Sequence, residues 1–244
     1  MNRANKSIGW TDWTWNPIKG ICPVGCWYCY ARKIYKRFDL MGRWAADPYW
    51  DRDFSIDKDT IFFDEHEASQ PYITRVGAKR EIKPRKIFVC STIEMFHPEI
   101  PTKYRDEVFH MIESCPQDTF QVLTKLPENI DREMPNNVWL GVTTDDATNS
   151  FDRMKWLHRA KVKTKFVSFE PLLSGHWGFN FNVWLSHIAW AIVGRLTGYG
   201  HKYDPNKDDI DIIVKKCKEF GIPIFLKDNL KEIWGEPLIQ EFPK

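Results

Sequence analysis

The sequence lacks several features that would each assign it to a broad class of proteins. It has no excess of charge of one sign, because 35 Lys and Arg stand against 33 Asp and Glu, a net charge of +2. This balance excludes a globally basic nucleic-acid coat protein and a protein dominated by an acidic tail. No stretch approaches ~18 consecutive apolar residues, so we expect no membrane span. Internal repeats and low-complexity segments are also absent.

Cysteines are few and unevenly placed. Three of the six fall within eight residues, at Cys22, Cys26 and Cys29. The isolated ones are Cys90, Cys115 and Cys217. A secreted disulfide framework would spread pairs along the chain, and residues 1–10 hold no apolar run for a signal peptide. We therefore expect a cytoplasmic protein with reduced thiols, whose isolated cysteines are buried as small apolar side chains.

The composition is that of a globular protein rich in aromatic residues. Apolar residues make up 43% and charged residues 28% of the 244 positions, which excludes a disordered chain. Twelve Trp, sixteen Phe and eight Tyr are more than a core built on Leu, Ile and Val needs. We expect some of these rings to line a site.

Short β-branched and aromatic runs alternate with amphipathic stretches along the chain. We predict strands at Ile8–Trp15, Lys86–Ser91, Thr119–Thr124, Val138–Val142, Lys165–Phe169, Ile188–Val193 and Pro223–Leu226. We predict helices at Ala31–Met41, Thr102–Ser114, Ser150–Arg159 and Asp208–Phe220. The alternation favours an α/β fold with parallel strands, a partial (β/α) TIM-type barrel occupying residues 1–244 as one domain. An open doubly wound sheet is the alternative.

A charged insertion at about residues 44–85 interrupts this alternation of strands and helices. Asp47–Glu67 carries eight acidic and two basic residues, whereas Arg75–Lys86 carries six basic and one acidic. Such a segment is either a surface excursion whose charges pair with each other and with water, or an insertion that faces a substrate.

The sequence GICPVGCWYCY at residues 20–30 contains Cys-x3-Cys-x2-Cys directly after the first predicted strand. Three thiolates on a tight loop can converge on a metal site. A structural zinc site needs a fourth ligand, and no second cysteine pair is present. Three local thiolates instead suit a cubane iron–sulfur cluster with one iron left open. Zinc and an unrelated use of the thiols remain the alternatives.

This spacing resembles the radical S-adenosylmethionine (SAM) superfamily, whose signature is Cys-x3-Cys-x-aromatic-Cys, with Tyr28 as the aromatic residue. The resemblance implies a 4Fe-4S cluster on Cys22, Cys26 and Cys29, with SAM bound at the open iron. It implies that reduction cleaves SAM to a 5′-deoxyadenosyl radical, which abstracts hydrogen from a substrate.

Further blocks along the chain resemble an uncharacterised three-cysteine radical SAM family associated with phages and mobile elements. These blocks are GWTDWTWNPIKGICPVGCWYCYARK, RKIFVCSTIEMFHPEIP, FQVLTKLPENI, VWLGVT, FVSFEPLL and WAIVG. Spore photoproduct lyase is similar at the cluster motif. One short segment departs from that family's pattern: where it reads Val-Gly-Gly-Glu-Ser-Gly, residues 193–198 read VGRLTG, so Arg195 and Leu196 stand where the family has Gly-Glu.

Polar residues that follow the predicted strands are candidates for binding SAM, because ligands of parallel barrels sit at the carboxyl ends of the strands. We select Thr92, Glu94, Thr143 and Glu170 from them and add Tyr28, which we expect near the adenine of SAM. The resemblance implies that the segment 92–94 holds the SAM amino group. The alternatives are that Lys125 and Glu170 form a structural ion pair, that Thr143 caps a helix and that Glu94 is solvated.

Basic and aromatic residues alternate just after the cysteines. The basic ones are Arg32, Lys33, Lys36, Arg37 and Arg43, and the rings are Tyr30, Tyr35 and Phe38. A solvated helix face with an apolar stripe is the favoured interpretation of this mixture. The alternative is a surface that binds single-stranded nucleic acid, for which basic residues beside aromatic rings are typical.

The sequence therefore predicts an enzyme that uses a 4Fe-4S cluster and SAM, without assigning a catalytic residue. Its expected partners are SAM, an external electron donor and an unidentified substrate, with nucleic acid and a partner protein encoded nearby as open candidates. The alternative is a non-catalytic iron–sulfur or zinc-stabilised module that binds nucleic acid for a mobile element.

Overall fold

A computed structural model describes residues 2–4, 8–37, 55–56, 84–145, 147–173, 185–235 and 237–243. The charged insertion predicted at 44–85 lies outside these residues except at 55–56 and 84–85, as does the part of the first predicted helix beyond Arg37.

Eight of the described strands form one sheet. In chain order they are β1 (Asn2–Arg3), β2 (Trp13–Trp15), β5 (Lys86–Val89), β6 (Thr119–Thr124), β7 (Val138–Thr143), β8 (Thr164–Phe169), β9 (Trp190–Val193) and β10 (Ile224–Leu226). The order in the sheet is the order in the chain. All neighbours from β2 to β10 are parallel, and β1 joins β2 antiparallel. A separate antiparallel pair consists of β3 (Ile18–Lys19) and β4 (Ser55–Ile56).

Helices follow most of the parallel strands. They are α1 (Tyr30–Arg37), α2 (Thr102–Glu113), α3 (Ala147–Arg159), α4 (Lys207–Glu219) and α5 (Lys231–Trp234). Short 3₁₀ turns occupy Pro127–Asn129 and Asp228–Leu230. Helix α4 has Asp208 and Asp209 in its first turn and Lys216 and Lys218 in its last turn. These charges complement the helix dipole.

The seven parallel strands curl into a half-barrel, which agrees with the predicted partial (β/α) barrel at this level. Each parallel crossover leads to the adjacent strand. A doubly wound sheet reverses its strand order at a switch point, and the described sheet has no such reversal. The alternative of an open doubly wound sheet was therefore wrong.

The two faces of the half-barrel differ because side chains alternate along each strand. One set of strand residues, including Val89, Val122 and Leu140, packs with Ile112 of α2 and Ile213 of α4. This is the convex, helix-covered face. The intervening residues point to the concave face.

Aromatic rings fill the concave face. Trp10, Phe166, Trp190, Ile192 and Phe225 form a second buried cluster there. The ring centroid of Trp10 lies 4.8 Å from that of Phe88 and 6.2 Å from that of Trp190. Much of the aromatic content therefore serves as packing inside the half-barrel. In the described part of the chain, no helix is both long and apolar enough to span a membrane.

Candidate functional site

Cys22, Cys26 and Cys29 lie in residues 20–30, the thiol loop, which joins β3 to α1. The loop turns at Gly25, whose φ of 70° is a left-handed conformation that favours glycine. Downstream, the Cys29 N–H donates to the Cys26 carbonyl at 3.1 Å. Arg32 of α1 donates to the Cys22 carbonyl at 2.7 Å, so the helix also holds the start of the loop.

The sulfur atoms of the thiol loop lie beside the carboxyl ends of the central strands. Burial raises the pKa of Cys22, while the backbone N–H groups of Glu94 and Val24 donate to its sulfur and oppose that shift. Burial likewise raises the pKa of Cys26, which lies within electrostatic range of Lys125, Cys29 and Asp145. As the side chains stand, no group of three or more His, Cys, Asp or Glu residues within the described ranges is arranged to hold a metal ion.

The residues under the thiol loop continue the alternation of side-chain direction that the strands begin. A residue two positions beyond an inward-facing strand residue also faces inward. In β6, Leu123 is therefore followed by Lys125, and in β8, Phe166 is followed by Ser168 and then Glu170. We call this set the rim. Its members are Lys125, Thr143, Asp145, Ser168, Glu170, Gly194 and Lys227.

Glu94 lies buried between the rim and Cys22. Its Oε1 accepts a hydrogen bond from the Thr124 hydroxyl at 2.7 Å and one from the Phe96 N–H at 3.2 Å. Its Oε2 accepts the Lys125 N–H at 2.7 Å. Burial raises the pKa of Glu94 despite these donors. The alternative of a solvated Glu94 was therefore wrong.

Tyr28 belongs to a charged network on the rim. Its hydroxyl donates to Asp145 Oδ2 and lies 2.6 Å from Lys125 Nζ. Arg153 of α3 donates to Asp145 Oδ1 at 2.6 Å. Burial opposes ionisation of Asp145, but Lys125, Tyr28 and Arg153 lower its pKa to about 2. Burial and the neighbouring Asp145 raise the pKa of Tyr28. The network thus carries an ionised carboxylate and a protonated phenol.

Glu170 pairs with Lys227 of the neighbouring rim segment. The two side chains meet over Gly194, where an added Cβ would lie 2.8 Å from Lys227 Cδ and 3.4 Å from Glu170 Cγ. Lys125 pairs instead with Asp145, at 3.2 Å. The predicted alternative of a Lys125–Glu170 ion pair was therefore wrong in its partners, although both residues lie on the rim.

Arg195 has a structural role that the sequence did not reveal. Its Nε donates to the Asn229 carbonyl at 2.6 Å, and its guanidinium pairs with Asp204 at 3.0 Å. Asn229 donates back to the Arg195 carbonyl at 3.1 Å. The cation thus fastens the loop after β9 to the 3₁₀ turn after β10.

The remaining predicted site residues lie at the carboxyl ends of their strands. Asn16, after β2, accepts hydrogen bonds from the Ser91 hydroxyl at 3.1 Å and the Thr92 N–H at 3.2 Å. The Thr92 side chain hydrogen-bonds Tyr35 of α1. Thr143 is buried on the rim, and its carbonyl accepts from Arg153 at 2.9 Å. The structure therefore brings Tyr28, Thr92, Glu94, Thr143 and Glu170 to one end of the half-barrel.

Two buried hydroxyls at this end have no hydrogen-bond partner among the described residues. They belong to Ser168 on β8 and to Thr144 after β7. Buried polar groups are normally satisfied by protein, water or a ligand. Ser168 stands at an inward-facing position of β8, so its hydroxyl is available to a bound molecule, whereas Thr144 lies between the inward-facing Thr143 and Asp145 and points to the helix-covered face.

Asp145 and Arg153 were not among the predicted site residues. The signal for Asp145 was present, because it follows the inward-facing Thr143 by two positions. Arg153 reaches the rim from α3, and no local pattern distinguishes it from the other basic residues of that helix.

Cys90 directly follows the last residue of β5, and its backbone has a left-handed conformation that is unfavourable for a residue with a Cβ atom. Its φ is 54°, and its N–H donates to the Trp15 carbonyl at 2.8 Å. A left-handed residue with a Cβ costs about 1 kcal/mol relative to glycine. We expect Cys90→Gly to be more stable than Cys90→Ala by about 1 kcal/mol in urea unfolding.

Cys217 is the matched control for this comparison, because it is buried within α4. There glycine is the weaker helix former by about 1 kcal/mol, so the order reverses and Cys217→Ala is the more stable variant. A Cys90→Ala protein as stable as Cys90→Gly would contradict the strain assigned to this residue.

The comparisons with known proteins give one match. A family model described as "Protein of unknown function (DUF5131)" covers residues 5–238. The chain belongs to the DUF5131 family. Searches of curated proteins and of solved structures find no match. The predicted membership of the radical SAM superfamily, and of its phage-associated three-cysteine branch with a likeness to spore photoproduct lyase, is corrected by this result. DUF5131 is the family whose model matches.

Proposed function

We propose that this DUF5131 protein is an enzyme that binds a 4Fe-4S cluster on Cys22, Cys26 and Cys29 and cleaves SAM reductively. The observation that carries the proposal is the position of the thiol loop, beside the polar rim at the carboxyl ends of the parallel strands. Ligand sites of parallel barrels lie at that end. The proposal depends on these residues and not on family membership.

The donor set suits an iron–sulfur cluster. Its three sulfur atoms belong to one short loop, and Cys29 lies within electrostatic range of both Cys22 and Cys26. In a cubane each thiolate binds a different iron atom, so the ligands need not surround one point. The Glu94 and Val24 N–H groups at Cys22 are the kind of donor that tunes cluster potentials. A reduced cluster would supply the electron that cleaves SAM to methionine and a 5′-deoxyadenosyl radical, which takes hydrogen from the substrate.

Glu94 and the rim residue Lys125 have unused hydrogen-bonding capacity for the charged groups of SAM. A carboxylate has about four acceptor positions, and Glu94 uses three of them on Thr124, Phe96 and Lys125. Its fourth would accept the SAM amino group. An ammonium has three donors, and Lys125 Nζ uses two of them on Tyr28 and Asp145. Its third would bind the SAM carboxylate.

Other residues of the site would orient the bound molecule. Tyr28 is fixed by Asp145 and Lys125, so its ring has one orientation in which to pack against the adenine. The Ser168 hydroxyl, which has no partner among the described residues, would donate to a ribose or adenine acceptor. The Glu170–Lys227 pair closes the other side of the rim. This arrangement positions and desolvates SAM, which is the protein's part in cofactor chemistry.

The test is anaerobic purification and reconstitution of the full chain, followed by incubation with dithionite and SAM. We expect the broad visible absorbance of a cluster, about four irons per chain, and release of 5′-deoxyadenosine. A cluster with intact SAM would favour the non-catalytic iron–sulfur module. Stoichiometric zinc without iron would favour the zinc-stabilised module and overturn the proposal.

A further inference from the structure

A second surface lies beside the thiol loop and exposes large aromatic rings. Trp27 is 54% exposed and Tyr30 is 53% exposed. Trp27 contacts two tyrosines of the loop after β9, with ring centroids 5.3 Å from Tyr199 and 4.9 Å from Tyr203. We call these four residues the aromatic platform. Exposed rings of this size mark interaction surfaces more often than rings scattered singly.

The platform is held in place before any partner binds. The Tyr199 hydroxyl donates to the Trp27 carbonyl at 2.8 Å. Lys33 Nζ lies 3.4 Å from the centroid of the Tyr199 ring and donates to the Gly198 carbonyl at 3.2 Å. The Arg195–Asp204 pair fastens the loop that carries both tyrosines. A fixed ring loses little conformational entropy when a ligand stacks on it.

The described segments that carry the platform have basic side chains and no acidic one. Helix α1 contains four basic residues and no acidic one. Residues 17–37 and 195–203, which meet at the platform, contain no Asp or Glu at all. The basic side chains of Lys33, Lys36 and Arg37 are exposed. The nearest acidic residue after that second segment, Asp204, is already engaged by Arg195 and His201. The surface therefore favours a polyanion.

Tyr30 connects this surface with the candidate site. Its hydroxyl is turned inward and donates to the Ser91 carbonyl at 2.6 Å, where it lies within electrostatic range of Cys29 and Glu170. Its ring is exposed at the start of α1. A molecule stacked on Tyr30 would therefore lie next to the thiol loop.

We propose that the aromatic platform and α1 bind single-stranded nucleic acid, with bases stacked on Trp27 and Tyr30 and phosphates on the basic residues of α1. Exposed rings beside basic side chains are the arrangement that single strands use. A duplex hides the faces of its bases, and an acidic peptide has no bases to stack. This inference names the substrate class of the proposed enzyme and rests on that proposal for its catalytic meaning. The binding itself does not depend on a cluster or on SAM.

The test measures fluorescence anisotropy of a fluorescein-labelled oligothymidylate of about 15 nucleotides with the full chain, as purified and after anaerobic reconstitution. We expect Trp27→Ala to weaken binding about tenfold or more, because one base stack is lost. Trp156→Ala is the matched control, since Trp156 is an exposed tryptophan on α3, and it should bind like the wild type.

Salt dependence tests the phosphate contacts separately. Between about 50 and 200 mM salt, Lys36→Gln should lower the slope of log Kd against log salt by about 0.7, the value for one lost contact. The control Lys215→Gln removes an exposed lysine of α4 and should leave the slope unchanged. Melting temperatures of all variants establish that they fold.

Unchanged affinity in a folded Trp27→Ala variant would overturn the inference. So would equally strong competition by a duplex or by polyglutamate, the latter indicating an acidic protein partner. The two proposals fail separately. Release of 5′-deoxyadenosine without oligonucleotide binding overturns this inference and leaves the proposed function intact. Oligonucleotide binding without cleavage of SAM supports this inference and overturns the enzyme.

Discussion

Replacing any one of Cys22, Cys26 or Cys29 by serine is expected to remove most of the bound iron and to lower the release of 5′-deoxyadenosine by roughly a hundredfold or more. The reason is the ligand chemistry. A serine hydroxyl is a harder and far less acidic donor than a thiol, and a cluster with only two protein thiolates loses its hold on one more iron. Iron content, visible absorbance and product release should fall together in all three variants.

The other cysteines provide matched controls within the same chain. Cys115 and Cys217 are buried on the convex side of the sheet, and burial raises the pKa of Cys217 to about 12. Neither residue belongs to the thiol loop, and each is buried among apolar side chains. Cys115→Ala and Cys217→Ala should therefore keep their iron and their activity. Equal loss in these controls, or full iron content in the serine variants, would contradict the assignment of ligands.

The alternation of strands and helices was predictable because both periodicities are local. The runs at 119–124 and 138–142 became β6 and β7 with at most one residue of difference, and the acidic start and basic end of 208–220 marked α4. The half-barrel followed from the βα repeat. Its aromatic interior did not, since a ring at an inward position of one strand reveals nothing about the rings opposite it.

The rim shows what the sequence contained and what it left out. Its members continue the inward-facing positions of the strands at intervals of two residues, so Asp145 could have been placed by counting from Thr143. To predict which rim residues form ion pairs, one needs the order of the strands in the sheet and the size of the residue that lies between two candidates. Lys125, directly after β6, meets Asp145, just after the adjacent β7. Glu170 instead reaches past β9 to Lys227, because Gly194 has no side chain between them.

The aromatic platform depends on contacts that no local pattern encodes. Tyr199 and Trp27, which are joined by a hydrogen bond, are 172 positions apart in the sequence. The basic and aromatic mixture after the cysteines was visible, but a solvated helix face was the favoured interpretation of it. The loop after β9, fastened by the Arg195–Asp204 pair, supplies the second half of the surface and packs against Trp27.

The second large effect is expected at Gly141, in the middle of β7. Its register partner on β8 is Phe166, and an added Cβ would lie 2.4 Å from two atoms of the Phe166 ring. The ring is fully buried against Trp10 and Trp190, so it has no space to move into. Overpacking of this kind costs about 3 kcal/mol. We expect Gly141→Ala to lower the free energy of unfolding by that amount in urea titrations.

Two further variants separate this steric effect from a general intolerance of glycine replacement. Gly221 has a φ of 65° and no atom within 4 Å of an added Cβ, so Gly221→Ala should cost only the backbone strain of about 1 kcal/mol. Phe166→Leu removes the ring that the added methyl group would meet, and the double variant Gly141→Ala/Phe166→Leu should therefore be less destabilised than the sum of its single variants by about 1 to 2 kcal/mol. Additive effects would mean that Phe166 is not the residue that excludes a side chain at position 141, and that the concave face has room which its close aromatic packing does not show.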